Sequence, residues 1–304
     1  MRFQLNKVFE HQSVLPNECL AALQLKPGGC YVDATFGRGG HTALILGALD
    51  DSATVIAFDQ DKEAIRYGQQ RFEKESRLSL VHDNFSQMSQ YLNQHGVYGA
   101  VDGILMDIGV SSPQLDDAER GFSFMRDGPL DMRMDQRKAQ SAFDYLSNIS
   151  EKELHHILEV YGEERYARRI AKGIVQSVKD NRLKNSTLSL VEIIEASGAK
   201  RDKHKHAATR TFQAIRIAVN REVEVLEQGL YSGLQSLAIG GRLVVLSFHG
   251  LEHRIVKAFI REYRQKDGDI VLKQIGKAQG VSWHERKQNP RSRSAFIRVM
   301  ERVK

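Results

Sequence analysis

Four short runs of β-branched and apolar residues, each followed by a segment of helical length, constrain this chain more than any other feature. They are CYVDATF (30–36), TVIAFDQD (54–61), LSLVHDNF (78–85) and VDGILMDIGV (101–110), with segments such as KEAIRYGQQRFEKE between them. Buried strands alternating with helices read as βαβ units, and these build a parallel sheet with helices on both faces. A fifth run, RLVVLSFH (242–249), fits the pattern but comes late. From Val110 to Gly241 there are 132 residues, where a crossover helix and its loops need roughly 30. The surplus of about 100 residues predicts an inserted domain. Leu154, Ile157, Leu158 and Tyr161 share one helical face, as do Ile170, Ile174 and Val178, so the insertion is expected to be helical. The apolar positions from Phe212 to Leu237 step by three or four and predict one long returning helix. Gly240 and Gly241 are expected to end it. SAFIRVMERV (294–303) is expected to add a last strand at the sheet's edge.

No stretch approaches the roughly 18–20 apolar residues of a membrane span. The start, MRFQLNKVFEHQSVL, shows no apolar signal region. Two cysteines, Cys19 and Cys30, fit reduced thiols in a cytoplasmic protein without a membrane partner. The net charge of +6 is uneven: His253 to Lys304 holds 14 Lys/Arg against 5 Asp/Glu, and the other 252 residues hold 30 against 33. A basic C-terminal portion on a balanced protein points toward a polyanion.

In an open parallel sheet, ligands bind beyond the C-terminal ends of the strands. The first run ends there in DATFGRGGHT (33–42). Gly37, Gly39 and Gly40 allow a sharp turn and close approach of a ligand to the backbone. Asp59 ends the second run, 22 residues after Gly37, close to the spacing at which an acid accepts from ribose hydroxyls. Asp61 either shares that role or caps the next helix. Phe85 closes the third run, either flanking an adenine or packing in the core. Asp107 ends the fourth, followed by Ser111, Ser112, Pro113 and Gln114. A carboxylate with hydroxyls suits acceptance of hydrogen bonds from an amine, although a strand-ending turn explains each residue singly. S-adenosylmethionine suits this loop better than a dinucleotide, because it carries no phosphates for a full glycine fingerprint and helix N-terminus to cradle.

The blocks DATFGRGGHT, VDGILMDIGVSSPQLDDAERGFSFMRDGPLDMRMD, YGEERYARRIAKGIV, ATRTFQAIRIAVNRE, GGRLVVLSFHGLEHRIVK and NPRSRSAFIR closely resemble the RsmH/MraW family. Members of that family are bacterial enzymes that methylate the N4 amine of a cytidine in 16S ribosomal RNA. The resemblance implies a class I S-adenosylmethionine-dependent methyltransferase fold, α/β with a Rossmann-like, mostly parallel sheet. A methyltransferase domain over 1–125 and 209–304 is expected, with an inserted all-helical substrate-recognition domain over 126–208. It implies cofactor contacts from Gly39, Gly40, His41, Asp59, Phe85, Asp107 and Gln114. The implied target is the P-site cytidine of the decoding centre, within the small subunit or a late precursor, and a homodimer is compatible. The chain departs from the family's pattern at Ser13, Pro16, Ala207, Gly250 and His253.

Asp107, Ser111, Ser112 and Pro113 are therefore the candidate catalytic set, with Asp107 serving either the target amine or the methionine amine of the cofactor. Tyr145 is the candidate for stacking on a base turned out of its helix. Lys203, Lys205, Arg291 and Arg293 are candidate phosphate contacts. Arg133 and Arg216 either line the cleft or hold internal carboxylates. No metal is expected. Two rivals stand beside this reading. One is a catalytically impaired RNA-binding or ribosome-assembly factor of the same fold. The other is a zinc hydrolase, because residues 249–253 spell H-x-x-E-H, a motif that needs one continuous helix to present both histidines.

Overall fold

The computed structural model describes residues 13–200, 206–264 and 271–304. Its described residues divide into two compact units, one ending at Gly109 and resuming at Glu227, the other spanning Val110–Leu226.

The first unit is a seven-stranded sheet formed by β1 (Cys30–Asp33), β2 (Thr54–Phe58), β3 (Leu78–Val81), β4 (Val101–Asp107), β5 (Leu237–Ser247), β6 (Leu272–Gly280) and β7 (Phe296–Arg302). The order is β3-β2-β1-β4-β5-β7-β6. The first five strands pair in parallel, while β7 runs antiparallel to both β5 and β6. This is the Rossmann-like class I methyltransferase fold that the sequence resemblance implies. Helices α1 (Pro16–Leu23), α2 (Gly40–Ala48), α3 (Lys62–Arg71) and α4 (Met88–Gln94) accompany the first four strands. Tyr31, Val55, Leu105, Val244 and Leu246 are fully buried in its core beside Leu15, Leu23 and Ile45.

The second unit holds α5 (Ser112–Asp116), α6 (Ala142–Asn148), α7 (Glu151–Val160), α8 (Ala167–Lys179), α9 (Thr187–Ala196) and α10 (Thr209–Asn220). Leu154, Ile157 and Leu158 of α7 meet Ile170 and Ile174 of α8 in one apolar cluster, as their helical spacing requires. Residues 117–141 carry little regular structure and are tied down by buried polar groups instead. Asn220 accepts from Met134 N (2.8 Å) and donates to Met132 O (2.7 Å), while Arg120 donates to the carbonyls of Arg133 and Met134. Phe122 and Phe212 belong to the same cluster, so this unit draws in 110–125 and 209–226 as well as the 126–208 expected from the sequence.

Three local expectations are corrected. The run from Phe212 to Leu237 forms two helices, α10 and α11 (Glu222–Ser236), because Arg221 adopts a left-handed conformation (φ 54°) between them. The division between units falls inside α11. Gly240 and Gly241 lie within β5 rather than at a helix end. There the pairing with β4 slips between Val101 and Gly103, and a side chain at 241 would meet Val101 O at 2.7 Å. The C-terminal strand β7 is interior to the sheet; β6, a polar strand with an exposed side, takes the edge. Two further helices, α12 (Gly250–Tyr263) and α13 (Trp283–Gln288), complete the first unit. No helix among the described residues is long and apolar enough to cross a membrane. Cys19 and Cys30 are both free thiols.

Candidate active site

The first unit gathers its polar groups where β1, β2, β3 and β4 end. Asp33, the last residue of β1, is fully buried. Its carboxylate accepts from Thr42 Oγ1 (2.6 Å) and from Thr35 N (3.1 Å), which ties the start of α2 to the strand. Burial pushes the Asp33 carboxyl above its ordinary range, against the pull of the Thr42 hydroxyl. Thr35 in turn accepts from Asp107 N (2.8 Å), linking the ends of β1 and β4.

Gly39 precedes α2 with φ +67°. A Cβ there would stand 2.6 Å from the Phe36 ring and 2.7 Å from that of Phe72, and one at Gly40 would collide with Ser13 Oγ. Gly39 is therefore closed to a side chain by two aromatic rings and by its left-handed backbone, whereas at Gly40 the Ser13 hydroxyl would have to turn away. Gly37 N donates to Asp59 Oδ2 (2.7 Å) and Asp61 N to Asp59 Oδ1 (2.8 Å), so the acid at the end of β2 is clamped against the glycine loop. A carboxylate has about four lone-pair sites, which leaves Asp59 with acceptor capacity beyond those two bonds. Burial raises its carboxyl to about 7, although both backbone donors favour the ionised form. Asp61 resolves to the capping role, accepting from Glu63 N at the start of α3.

His41 is buried in α2, with Nε2 3.5 Å from Asp107 Oδ2. That is an ion-pair distance and too long for a well-formed hydrogen bond. Burial works to lower the imidazole pKa, but Asp107 and Asp33 outweigh it and hold the ring above its ordinary value. Phe85 begins a short 3₁₀ turn and packs against Gly229 of α11, where a Cβ would strike its ring. Its neighbour Asn84 donates to Gln60 Oε1 (2.9 Å), which keeps the β3 end beside the β2 end. Gly39, Gly40, His41, Asp59 and Asp107 thus form one connected set, and Phe85 joins it through that bond.

In the second unit, Ser111 and Gln114 cap α5 reciprocally. Ser111 N donates to Gln114 Oε1 (3.0 Å) and Gln114 N to Ser111 Oγ (3.5 Å), with Pro113 in the first turn. Arg133 is bound by both carboxylate oxygens of Asp131 and by Lys138 O (2.7 Å). Arg216 makes the same two-pronged pair with Glu222, both contacts at 2.7 Å. Of the two roles the sequence left open for these arginines, the internal carboxylate is the one each displays. Tyr145 is half-buried against the helical cluster. Arg291 and Arg293 are exposed in the first unit, and Lys203 and Lys205 lie outside the described residues.

The H-x-x-E-H stretch does not take the metalloprotease form. His249 precedes α12 instead of lying on it. Glu252 accepts from Phe248 N (2.6 Å) and His249 N (3.2 Å), and His253 Nδ1 meets Ser247 Oγ at 2.6 Å. Among the described residues no group of three or more His, Cys, Asp or Glu is placed to hold a metal ion. The sequence reading passed over Asp33, Thr35 and Thr42 as site residues. Their one signal was a carboxylate and a hydroxyl bracketing the glycine loop.

Comparison with known proteins places these residues in a wider frame. The model of the MraW methylase family matches residues 8–303. A protein of Alteromonas mediterranea named ribosomal RNA small subunit methyltransferase H is 48% identical over 309 residues, covering 97% of this chain and 98% of the relative. A protein of the same name from Hydrogenovibrio crunogenus is 48% identical over 305 residues, covering 96% of each.

Proposed function

Because the chain belongs to the MraW methylase family, we propose that it methylates the N4 amine of the P-site cytidine of 16S ribosomal RNA, using S-adenosylmethionine. The observation that carries this reading is the extent of the match, which runs through both compact units instead of the cofactor fold alone. The cytosine-N4 target follows from the sequence blocks that the chain shares with that family.

The residues at the strand ends suit such a cofactor. Asp59 has spare acceptor capacity for ribose hydroxyls, Gly39 and Gly40 offer backbone without side chains, and Phe85 supplies an aromatic face for a purine. His41 and Gln114 complete the set of cofactor contacts. S-adenosylmethionine supplies an electrophilic methyl group on a sulfonium. The protein's part is to present the amine in line with it and to prepare the nitrogen. In cytosine the N4 lone pair is delocalised into the ring. A hydrogen-bond acceptor on the amine draws electron density back onto nitrogen as the new bond forms. Asp107, with its side chain steered by His41 and its backbone fixed by Thr35, is the proposed acceptor. Ser111, Ser112 and Pro113, four to six residues further along the chain, are the proposed partners in holding the amine. Tyr145, Arg291, Arg293, Lys203 and Lys205 are the proposed RNA contacts.

Transfer of labelled methyl to small ribosomal subunits lacking the modification tests this assignment, with Asp107→Ala compared by cofactor titration. Retained cofactor affinity with at least about a hundredfold loss of transfer, the order seen when one polarising group is removed, places Asp107 on the target amine. Loss of both assigns it to the cofactor's own amine. A wild-type chain that binds cofactor yet transfers nothing to subunits, precursors or free RNA is an assembly factor, and the proposal falls.

A further inference from the structure

Trp283 is the chain's only tryptophan, and it stands 74% exposed. An indole left in water forgoes more apolar burial than almost any other side chain. Its backbone is nevertheless firmly set. Val281 just before it is buried in the core of the first unit, Ser282 caps α13 by accepting from Glu285 N (3.1 Å), and Ser292 and Ala295 beyond it are buried. The ring is therefore displayed from a fixed mount.

Its neighbours are basic. Lys287 Nζ lies 5.4 Å from the ring centroid, and Arg286 on the same helix and Arg291 and Arg293 in the turn packed against it are exposed. Glu285, two residues after Trp283, accepts from Leu15 N (2.8 Å) and so ties α13 to the start of α1. Two residues earlier, Ser13 fills the space beside Gly40 of the cofactor loop. The platform is thus connected, within one unit, to the chain segment that backs the candidate active site.

We propose that Trp283 is a stacking platform for an unpaired base of the RNA substrate, with Lys287, Arg286, Arg291 and Arg293 contacting the flanking phosphates. The inference rests on the RNA-methyltransferase reading above. A π-face beside exposed cations matches single-stranded nucleic acid, in which every base offers a face and every linkage a negative charge. A symmetric contact with a second copy would set these cations against their own kind.

The lone tryptophan makes the test direct. Poly(U) added to the wild-type protein quenches Trp283 emission if a base stacks on it. Anisotropy of a short, unstructured, fluorescein-labelled RNA then compares variants. Trp283→Ala is expected to bind roughly 5- to 100-fold more weakly, Trp283→Phe to keep most of the affinity, and both to bind S-adenosylmethionine as the parent does. Absence of quenching together with unchanged RNA affinity in Trp283→Ala overturns the proposal. So does self-association that Trp283→Ala abolishes without affecting RNA binding. Methyl transfer to subunits by a wild-type protein that shows no quenching and whose Trp283→Ala variant keeps its RNA affinity sinks this inference alone. Quenching without methyl transfer leaves the stacking role standing and sinks the methylation reading.

Discussion

Asp59 carries the sharpest chemistry at the scale of single residues. Its carboxyl is raised to about 7 in the ligand-free protein, and only the ionised form is a pure acceptor for hydroxyl donors. Hydroxyls donating to it stabilise the ionised form, so binding should expel a proton near neutrality. Cofactor affinity is expected to be full above about pH 8 and to fall as pH drops through 7, by up to about tenfold per pH unit. Calorimetry in buffers of different ionisation enthalpy checks the proton release, and Asp59→Asn should abolish the pH dependence. The effect on folding has the opposite sense. A raised folded pKa means that Asp59's contribution to stability is complete below its unfolded value near 3.8 and is lost as pH rises toward 7. Gly39→Ala is expected to cost at least roughly 1–2 kcal/mol for its φ of +67° alone, with the Phe36 and Phe72 contacts adding to it, as read by denaturant unfolding. Asp59 and the glycines were legible in the sequence because their spacing is local. The Thr35–Asp107 link was not, since it joins residues 72 apart in the chain and appears only once β1 pairs with β4.

Elements were legible in proportion to how one-sided their environment is. The strands β1, β2 and β4 are mostly apolar runs buried from both faces, and they were legible as strands. Strand β3, half-buried at one edge of the sheet, kept enough apolar character to be read with them. The edge strand β6 escaped notice because LKQIGKAQG alternates weakly and carries two lysines and two glycines. The break between α10 and α11 was equally hidden, because the apolar periodicity continues across Arg221 with neither glycine nor proline to mark it. Asn220, just before that break, is buried and secures the irregular segment around Met132–Met134. Asn220→Ala is expected to cost about 1–3 kcal/mol for each buried partner group left unmatched. Proteolysis within 117–141 should then accelerate while the cofactor affinity of the first unit is kept. Loss of cofactor binding with no change in proteolysis would contradict that role.

For the whole molecule, the insertion was visible as a surplus of residues between the fourth and fifth strands. Its limits were not, because 110–125 contains no long helix and 209–226 reads as part of the returning one. Phe122, Phe212 and Ile215 nevertheless pack into the helical cluster. The basic C-terminal portion likewise showed in composition, whereas the display of Trp283 within it depends on the buried residues on either side. The central claim concerns the product, and nucleoside mass spectrometry of subunits after reaction tests it most directly. The account predicts N4-methylcytidine at the P-site position of 16S ribosomal RNA, absent when Asp107 is replaced by alanine. Methyl label on carbon 5 of a pyrimidine, on a ribose, or on protein would contradict it.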